Sequence, residues 1–153
     1  MIIRHATESD RSAVVAMGRK FYETTHYTQF ADFDEASASM IFDTLLANGA
    51  CLVADIDGKP VGMVGLIFVP FLFNVGRKVA CEVMWWVEPN AQGLGAGKAL
   101  LEAVTPACDG CVAIQMIHLE SSPPQAAALY ERNGFRLREH SYQKDLLWAG
   151  QPQ

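Results

Sequence analysis

A chain of 153 residues, half of them hydrophobic and 19% charged, is long enough to bury one core and short for two. Its net charge of −5 leaves no general basic field of the kind that holds a protein on nucleic acid or anionic lipid, so neither is expected as a partner. The start MIIRHATESD lacks the basic-then-apolar order of a signal peptide, and the longest apolar run, Val61 to Phe73, is broken by Gly62, Gly65 and Pro70 and is too short to span a bilayer.

These bounds lead us to expect a cytoplasmic protein with one domain over 1–153, ordered over about 1–148. Ile2 to Ala6 reads as a first strand. Thr7, with Glu8 and Asp10 behind it, opens a helix that runs to about Tyr22. Glu23 to Phe33 is polar and aromatic and is expected as loop. A second helix follows from about Asp34 to Ala47, closed by Asn48-Gly49. Cys51 to Ile56 and Pro60 to Val69 flank Asp57-Gly58-Lys59, a hairpin signal. Pro70 to Lys78 is expected as loop, and Val79 to Val87 as a long strand stopped by Glu88-Pro89-Asn90.

From about Gly95 the spacing of Ala99, Leu100, Ala103 and Val104 predicts a helix. Val112 to Leu119, apolar on both faces, reads as a central strand. Ser121-Ser122-Pro123-Pro124 opens a helix to Arg132, Asn133-Gly134 closes it, and Phe135 to Leu147 offers two last short strands. The order β-α-α-β-β-β-α-β-α-β-β predicts a mixed α/β sheet with helices on both faces.

Four cysteines, Cys51, Cys81, Cys108 and Cys111, fall in or beside apolar segments and read as reduced small hydrophobes. Cys108-Asp-Gly-Cys111 has metal-site spacing, but zinc needs two further ligands and a redox pair needs a helix start. Here the pair sits at a helix-to-strand turn, so no metal is expected. His5, His26 and His140 have no companion at ligand spacing.

The stretch QGLGAG, Gln92 to Gly97, puts three glycines where the third helix begins. A helix start carries unpaired N–H groups and partial positive charge, and glycines let a backbone wrap closely around an anion. Neither the P-loop spacing nor the dinucleotide GxGxxG spacing is present.

The segment VMWWVEPNAQGLGAGKALL resembles the acetyl-coenzyme A binding motif of the GCN5-related N-acetyltransferase (GNAT) family, with Gln92, Gly95 and Gly97 at its Gln/Arg-x-x-Gly-x-Gly/Ala positions. AAALYERNGF, Ala126 to Phe135, resembles the family's second signature. The resemblance covers nearly the whole chain. It implies a single-domain acyl-CoA N-acyltransferase fold, mostly antiparallel, whose strands here read as Val79–Val87 and Val112–Leu119 splay apart. It further implies an acetyl-CoA diphosphate on the amides of Gln92, Gly93, Leu94, Gly95, Ala96, Gly97 and Lys98, and a pantetheine arm along the backbone of Trp85, Trp86 and Val87. An N–H near Trp85 to Val87 would face the thioester oxygen. The two indole rings could equally fill the two sides of the sheet.

The implied reaction carries acetyl from acetyl-CoA to a primary amine by direct attack, so a proton leaves the amine and another reaches the departing thiolate. Tyr130 matches the family's proton donor, although by its residue pattern alone it is a core tyrosine. Glu82 is the candidate base, because a carboxylate inside VACEVMWWV needs a partner or a task. It shares a face with Met84 and Trp86 unless a bulge intervenes, and pairing with Arg77 or Lys78 is the competing role. Glu120 with His118 is the second candidate, and a water chain the third. Phe21, Tyr22, Tyr27, Phe30 and Phe33 line the acceptor mouth or simply pack, and Asp32, Asp34 and Glu35 would suit a cationic amine.

Two positions depart from the family pattern. Pro123, preceded by Ser121 and Ser122, stands where an asparagine is common, so either a serine, Ser122, replaces its cofactor contact or the contact is missing, and Leu94 stands where a basic residue is common. The acceptor is a small-molecule or peptide amine. A homodimer through the last strands is compatible with the resemblance. The rival reading is a coenzyme A binding or sensing module without the chemistry.

Overall fold

The structure is a computed structural model that describes residues 1–146. Five strands, β1 (Ile2–His5), β2 (Gly49–Ile56), β3 (Lys59–Phe71), β4 (Asn74–Val87) and β5 (Cys111–Gln115), form one sheet in that order. Every neighbouring pair is antiparallel except β4 with β5, which is parallel. The helices are α1 (Arg11–Glu23), α2 (Glu35–Asn48), α3 (Ala96–Ala107) and α4 (Gln125–Arg132).

The apolar run in β2 is buried on both faces because helices cover both. Cys51 and Val53 join Val14, Met17, Phe42 and Leu45 beneath α1 and α2. Leu52 and Ala54 join Leu100 and Val104 beneath α3. Asp57 and Gly58, at φ 54° and 80°, turn β2 into β3 with the left-handed pair that matches strand twist. Arg4 ties β1 to both neighbours, donating to Asp55 Oδ2 at 2.8 Å and to Asp10 Oδ2 at 2.8 Å, with both carboxylates buried.

Gly49 closes α2, with extended backbone (φ −175°). A Cβ there would lie 2.2 Å from the Leu66 carbonyl oxygen, so this glycine is required by close approach of two backbones.

Three expectations are corrected. Pro70 to Lys78 is not a loop: β3 and β4 continue through it as a ladder, pairing Pro70 with Lys78, and turn at Leu72 and Phe73, which are 80% and 85% exposed. This tip lies at the start of β4, away from the end that approaches α3. The predicted central strand Val112–Leu119 stops at Gln115 and, among the described residues, pairs only with β4. Among the described residues nothing pairs with its other edge, and residues 135–146 form no strand. Their apolar residues Leu137, Tyr142 and Leu146 are all exposed, so this segment brings no buried face that would hold it on the sheet. Leu147, the last residue of those expected strands, and position 148 of the expected ordered core lie outside the described residues.

Candidate active site

The site begins with an extra residue. Across β3 and β4, Gly65 pairs with Met84 but Leu66 pairs with Glu82, so Val83 is a bulge. Without it, Glu82 would share a face with Met84 and Trp86. With it, Met84 and Trp86 pack toward α1 and α2, while Trp85 and Val87 pack toward α3. Alternation from Ala80, which is in the α3 core, puts Glu82 on the α3 side.

One residue further on, the sheet divides. Pairing of β4 with β5 runs from Lys78↔Cys111 to Cys81↔Gln115 and ends there. The last rung is reinforced by the Cys81 thiol donating to Gln115 Oε1 at 3.2 Å. Beyond it, among the described residues, Glu82 to Val87 have no strand partner on the β5 side.

Glu82 and Tyr130 meet across this gap. Ile117 N–H donates to Glu82 Oε2 at 2.8 Å, and the Tyr130 hydroxyl donates to the Ile117 carbonyl at 2.9 Å. Glu82 is 8% exposed and makes no ion pair with Arg77 or Lys78. Burial pushes its carboxyl up to about 7, opposed by the Ile117 N–H, which favours the carboxylate. Burial, and then the nearby Glu82 charge, raise the Tyr130 phenol, so it keeps its proton through the neutral range. His118 and Glu120 are exposed and take no part in this cluster.

Tyr130 is held by the end of its own helix. Phe135 N–H reaches back to the Tyr130 carbonyl at 3.1 Å and Gly134 N–H to the Glu131 carbonyl at 3.0 Å, with Gly134 left-handed at φ 83°. These two bonds form a Schellman cap, and they explain the asparagine-glycine-phenylalanine ending. The Tyr130 ring also lies 5.7 Å from that of Trp85.

The glycine-rich opening sits at the far end of the gap. Gly93 and Gly95 are left-handed at φ 85° and 84°, and a Cβ on either would meet nothing within 4 Å. Gly97 lies inside α3 without that φ. A Cβ there would meet Trp85 and Val87 at 3.6 and 3.7 Å, ordinary contact distances, so neither the turn nor the packing requires a glycine at this position. Among the described residues, the N–H groups of Gly93, Gly95, Ala96, Gly97 and Lys98 have no acceptor; the first bond of the helix is Ala99 N–H to the Gly95 carbonyl at 2.9 Å. Gln92 fixes the loop to β4 by donating from Nε2 to the Val87 carbonyl at 3.2 Å. Lys98 Nζ pairs with Glu102. Leu94, 60% exposed, borders a cavity of about 450 Å3 together with Lys59 and Asn90.

Ser122 lies in the bend before α4. Its hydroxyl accepts from Leu119 N–H at 2.8 Å and closes the turn before α4, whose N-cap is Pro124; the expected serine cap does not form. The aromatics of the segment after α1 pack on one another, Tyr22 on Phe33 and His26 on Tyr27 and Phe30. Trp85 and Trp86 each bury an indole N–H without an acceptor. Ile117 was missed by sequence reasoning, because it acts through its main chain and no side-chain pattern marks it.

The opening has what a diphosphate would need: amides without an acceptor beside glycines 93 and 95, where a Cβ would meet nothing, and a strand edge unpaired by β5 that runs back to Glu82. Among the described residues no three His, Cys, Asp or Glu side chains gather to hold a metal ion, and no helix is long and apolar enough to cross a membrane.

Known proteins of this shape are numerous. A transcriptional regulator from Bacillus halodurans C-125 superposes with a TM-score of 0.73 at 23% identity, covering 95% of this chain and 99% of its own. An acetyltransferase from Trypanosoma brucei gives 0.67 at 25%, covering 95% and 99%. The ribosomal-protein-alanine N-acetyltransferase of Brucella melitensis biovar Abortus 2308 gives 0.70 at 18%, covering 95% and 100%. No curated protein sequence matches the chain. The model of the Acetyltransferase (GNAT) family matches residues 15–135, from the first helix to the Schellman cap and across both the bulged strand and the glycine opening, and the chain belongs to that family.

Proposed function

We propose that the protein transfers acetyl from acetyl-CoA to a primary amine by direct attack within a ternary complex. The observation that carries this reading is the meeting of Glu82 and Tyr130 on Ile117, at the apex of a gap whose other end is a cluster of unpaired amides. Bound acetyl-CoA supplies the activated acetyl group. The amides of Gly93 and Gly95 to Lys98 bind its diphosphate, with Gln92 and Leu94 shaping the loop. The edge of β4 from Trp85 to Val87, left open by β5, binds the pantetheine and offers an N–H to the thioester oxygen. Ser122, at the turn before α4, contributes a hydroxyl hydrogen bond to the cofactor.

Glu82 has one oxygen engaged by Ile117, and its Oε1 accepts the proton of the incoming amine. Tyr130 keeps its phenolic proton at neutral pH and delivers it to the departing thiolate. Cys81 is a poor nucleophile, because burial raises its thiol, and this supports direct attack over an acyl-enzyme. The acceptor is a small-molecule or peptide amine, and the reaction belongs in the cytoplasm.

The test is release of free coenzyme A across a panel of small amines and peptide N-termini. Tyr130→Phe is expected to lower kcat by about 100-fold or more with coenzyme A affinity kept. Coenzyme A binding without turnover on any acceptor would leave a binding module in place of an enzyme.

A further inference from the structure

We propose that Glu82 is the strut of the fork, a positioning residue whose carboxylate holds the chain after β5 a side-chain length away from β4 through Ile117 N–H. This rests on the reading that the fork receives acetyl-CoA, and it gives Glu82 a second task beside proton transfer.

In a parallel ladder, each strand offers main-chain N–H groups to main-chain carbonyls and so keeps its neighbour about 4.8 Å away. That spacing holds up to Cys81↔Gln115. The next N–H that β5 would offer is that of Ile117, two residues beyond Gln115, and it goes to a side-chain oxygen of Glu82. Ile117 is thereby satisfied without returning to the β4 backbone. Three further bonds of aliphatic chain stand between the two main chains.

The bulge makes this possible. Val83 is the extra residue, and by resetting the alternation it leaves Glu82 on the α3 side. Tyr130 of α4 takes the Ile117 carbonyl at 2.9 Å, so both main-chain polar groups of that residue are engaged by side chains. Below the apex, the Cys81–Gln115 side-chain bond closes the sheet. One rung is thus tied and the next is propped, which is what a slot of fixed width requires. The task needs an acceptor oxygen at this reach, which the Glu82 side chain supplies.

Glu82→Gln keeps both the reach and an acceptor oxygen, whereas Glu82→Ala removes both, and the pair separates strut from base. Coenzyme A is titrated calorimetrically into the full chain and each variant. E82Q is expected to bind coenzyme A like the wild type and to lose turnover. E82A is expected to lose turnover and also to bind at least ~10-fold more weakly, as the Ile117 N–H seeks a β4 carbonyl and the slot narrows. Equal affinity in wild type and E82A, or equal weakening in both variants, overturns the strut. Should E82A fail to fold, hydrogen exchange in the wild type decides. An Ile117 amide protected beyond the end of the ladder supports the strut, and one that exchanges as fast as those of His118 and Glu120 overturns it. A wild type that does not bind coenzyme A overturns the acetyl-transfer reading instead, and exchange at Ile117 then reads the strut alone.

Discussion

The ring of Phe135 lies 5.9 Å from that of Tyr130, folded back on it by the left-handed Gly134 between them. The acid of the proposed reaction is therefore aimed by the way its own helix stops. Gly134→Ala forces a Cβ into the left-handed region at a cost of roughly 1–2 kcal/mol. We expect a lower Tm, and a kcat that falls by more than coenzyme A affinity does, because Tyr130 loses its backing while the amide cluster is untouched. Thermal melts and steady-state kinetics on the same preparation check both.

The glycines of the helix opening are predicted to be unequal. Gly95→Ala strains a left-handed residue and pushes a methyl into the space before the open amides, so coenzyme A binding should drop on the order of tenfold or more. Gly97→Ala finds ordinary contact distances to Trp85 and Val87 and replaces the poorest regular helix former but proline. It should leave binding within about twofold and raise stability by up to ~1 kcal/mol. Calorimetry with coenzyme A on the two variants separates them.

The rate should follow the ionisation of Glu82. As a base it works only when charged, so kcat/KM is expected to rise with pH and level off above about 7. Stability should move the opposite way. Since burial lifts the carboxyl from 4.5 to about 7, the folded chain binds this proton more tightly than the unfolded chain does. The contribution is neutral below 4.5, turns unfavourable between 4.5 and about 7, and is constant above that. Glu82→Gln should accordingly match the wild-type Tm at pH 4.5 and exceed it at pH 8.

Arg4 is the shared partner of two buried carboxylates. Arg4→Ala leaves Asp10 and Asp55 facing each other's element without their cation, at a cost of about 3 kcal/mol. Its hydrogen bonds hold Asp10 down at about 2, against an ordinary 3.8. The wild type therefore has this stabilisation in full above 3.8 and loses it as pH falls toward 2. Denaturant unfolding at pH 7 and pH 2.5 should show the variant's deficit at the first and a much smaller one at the second.

Elements whose signals are local were legible in the chain. The start of α2 near Asp34, the Asp57-Gly58 turn and the glycine-rich entry to α3 each announce themselves within a few residues. The bulge at Val83 did not, because CEVMWWV alternates plausibly in either register, and the slip is decided opposite it, between Gly65 and Leu66. Pro70 to Lys78 misled through its proline, which the ladder accommodates where hairpin pairing is already irregular. The tasks of Gly49 and Ile117 were also out of reach of sequence patterns. One depends on where the Leu66 carbonyl passes, the other on where a carboxylate and a phenol arrive.

The fork has a fixed apex at Cys81↔Gln115 and an open strand edge that ends at Val87. Six residues of extended chain measure about 20 Å. That edge is a ruler between a grip for the diphosphate and the spot where protons change hands. A thioester on a markedly shorter arm could be gripped or be reacted, but not both at once, so carrier length itself should select the donor.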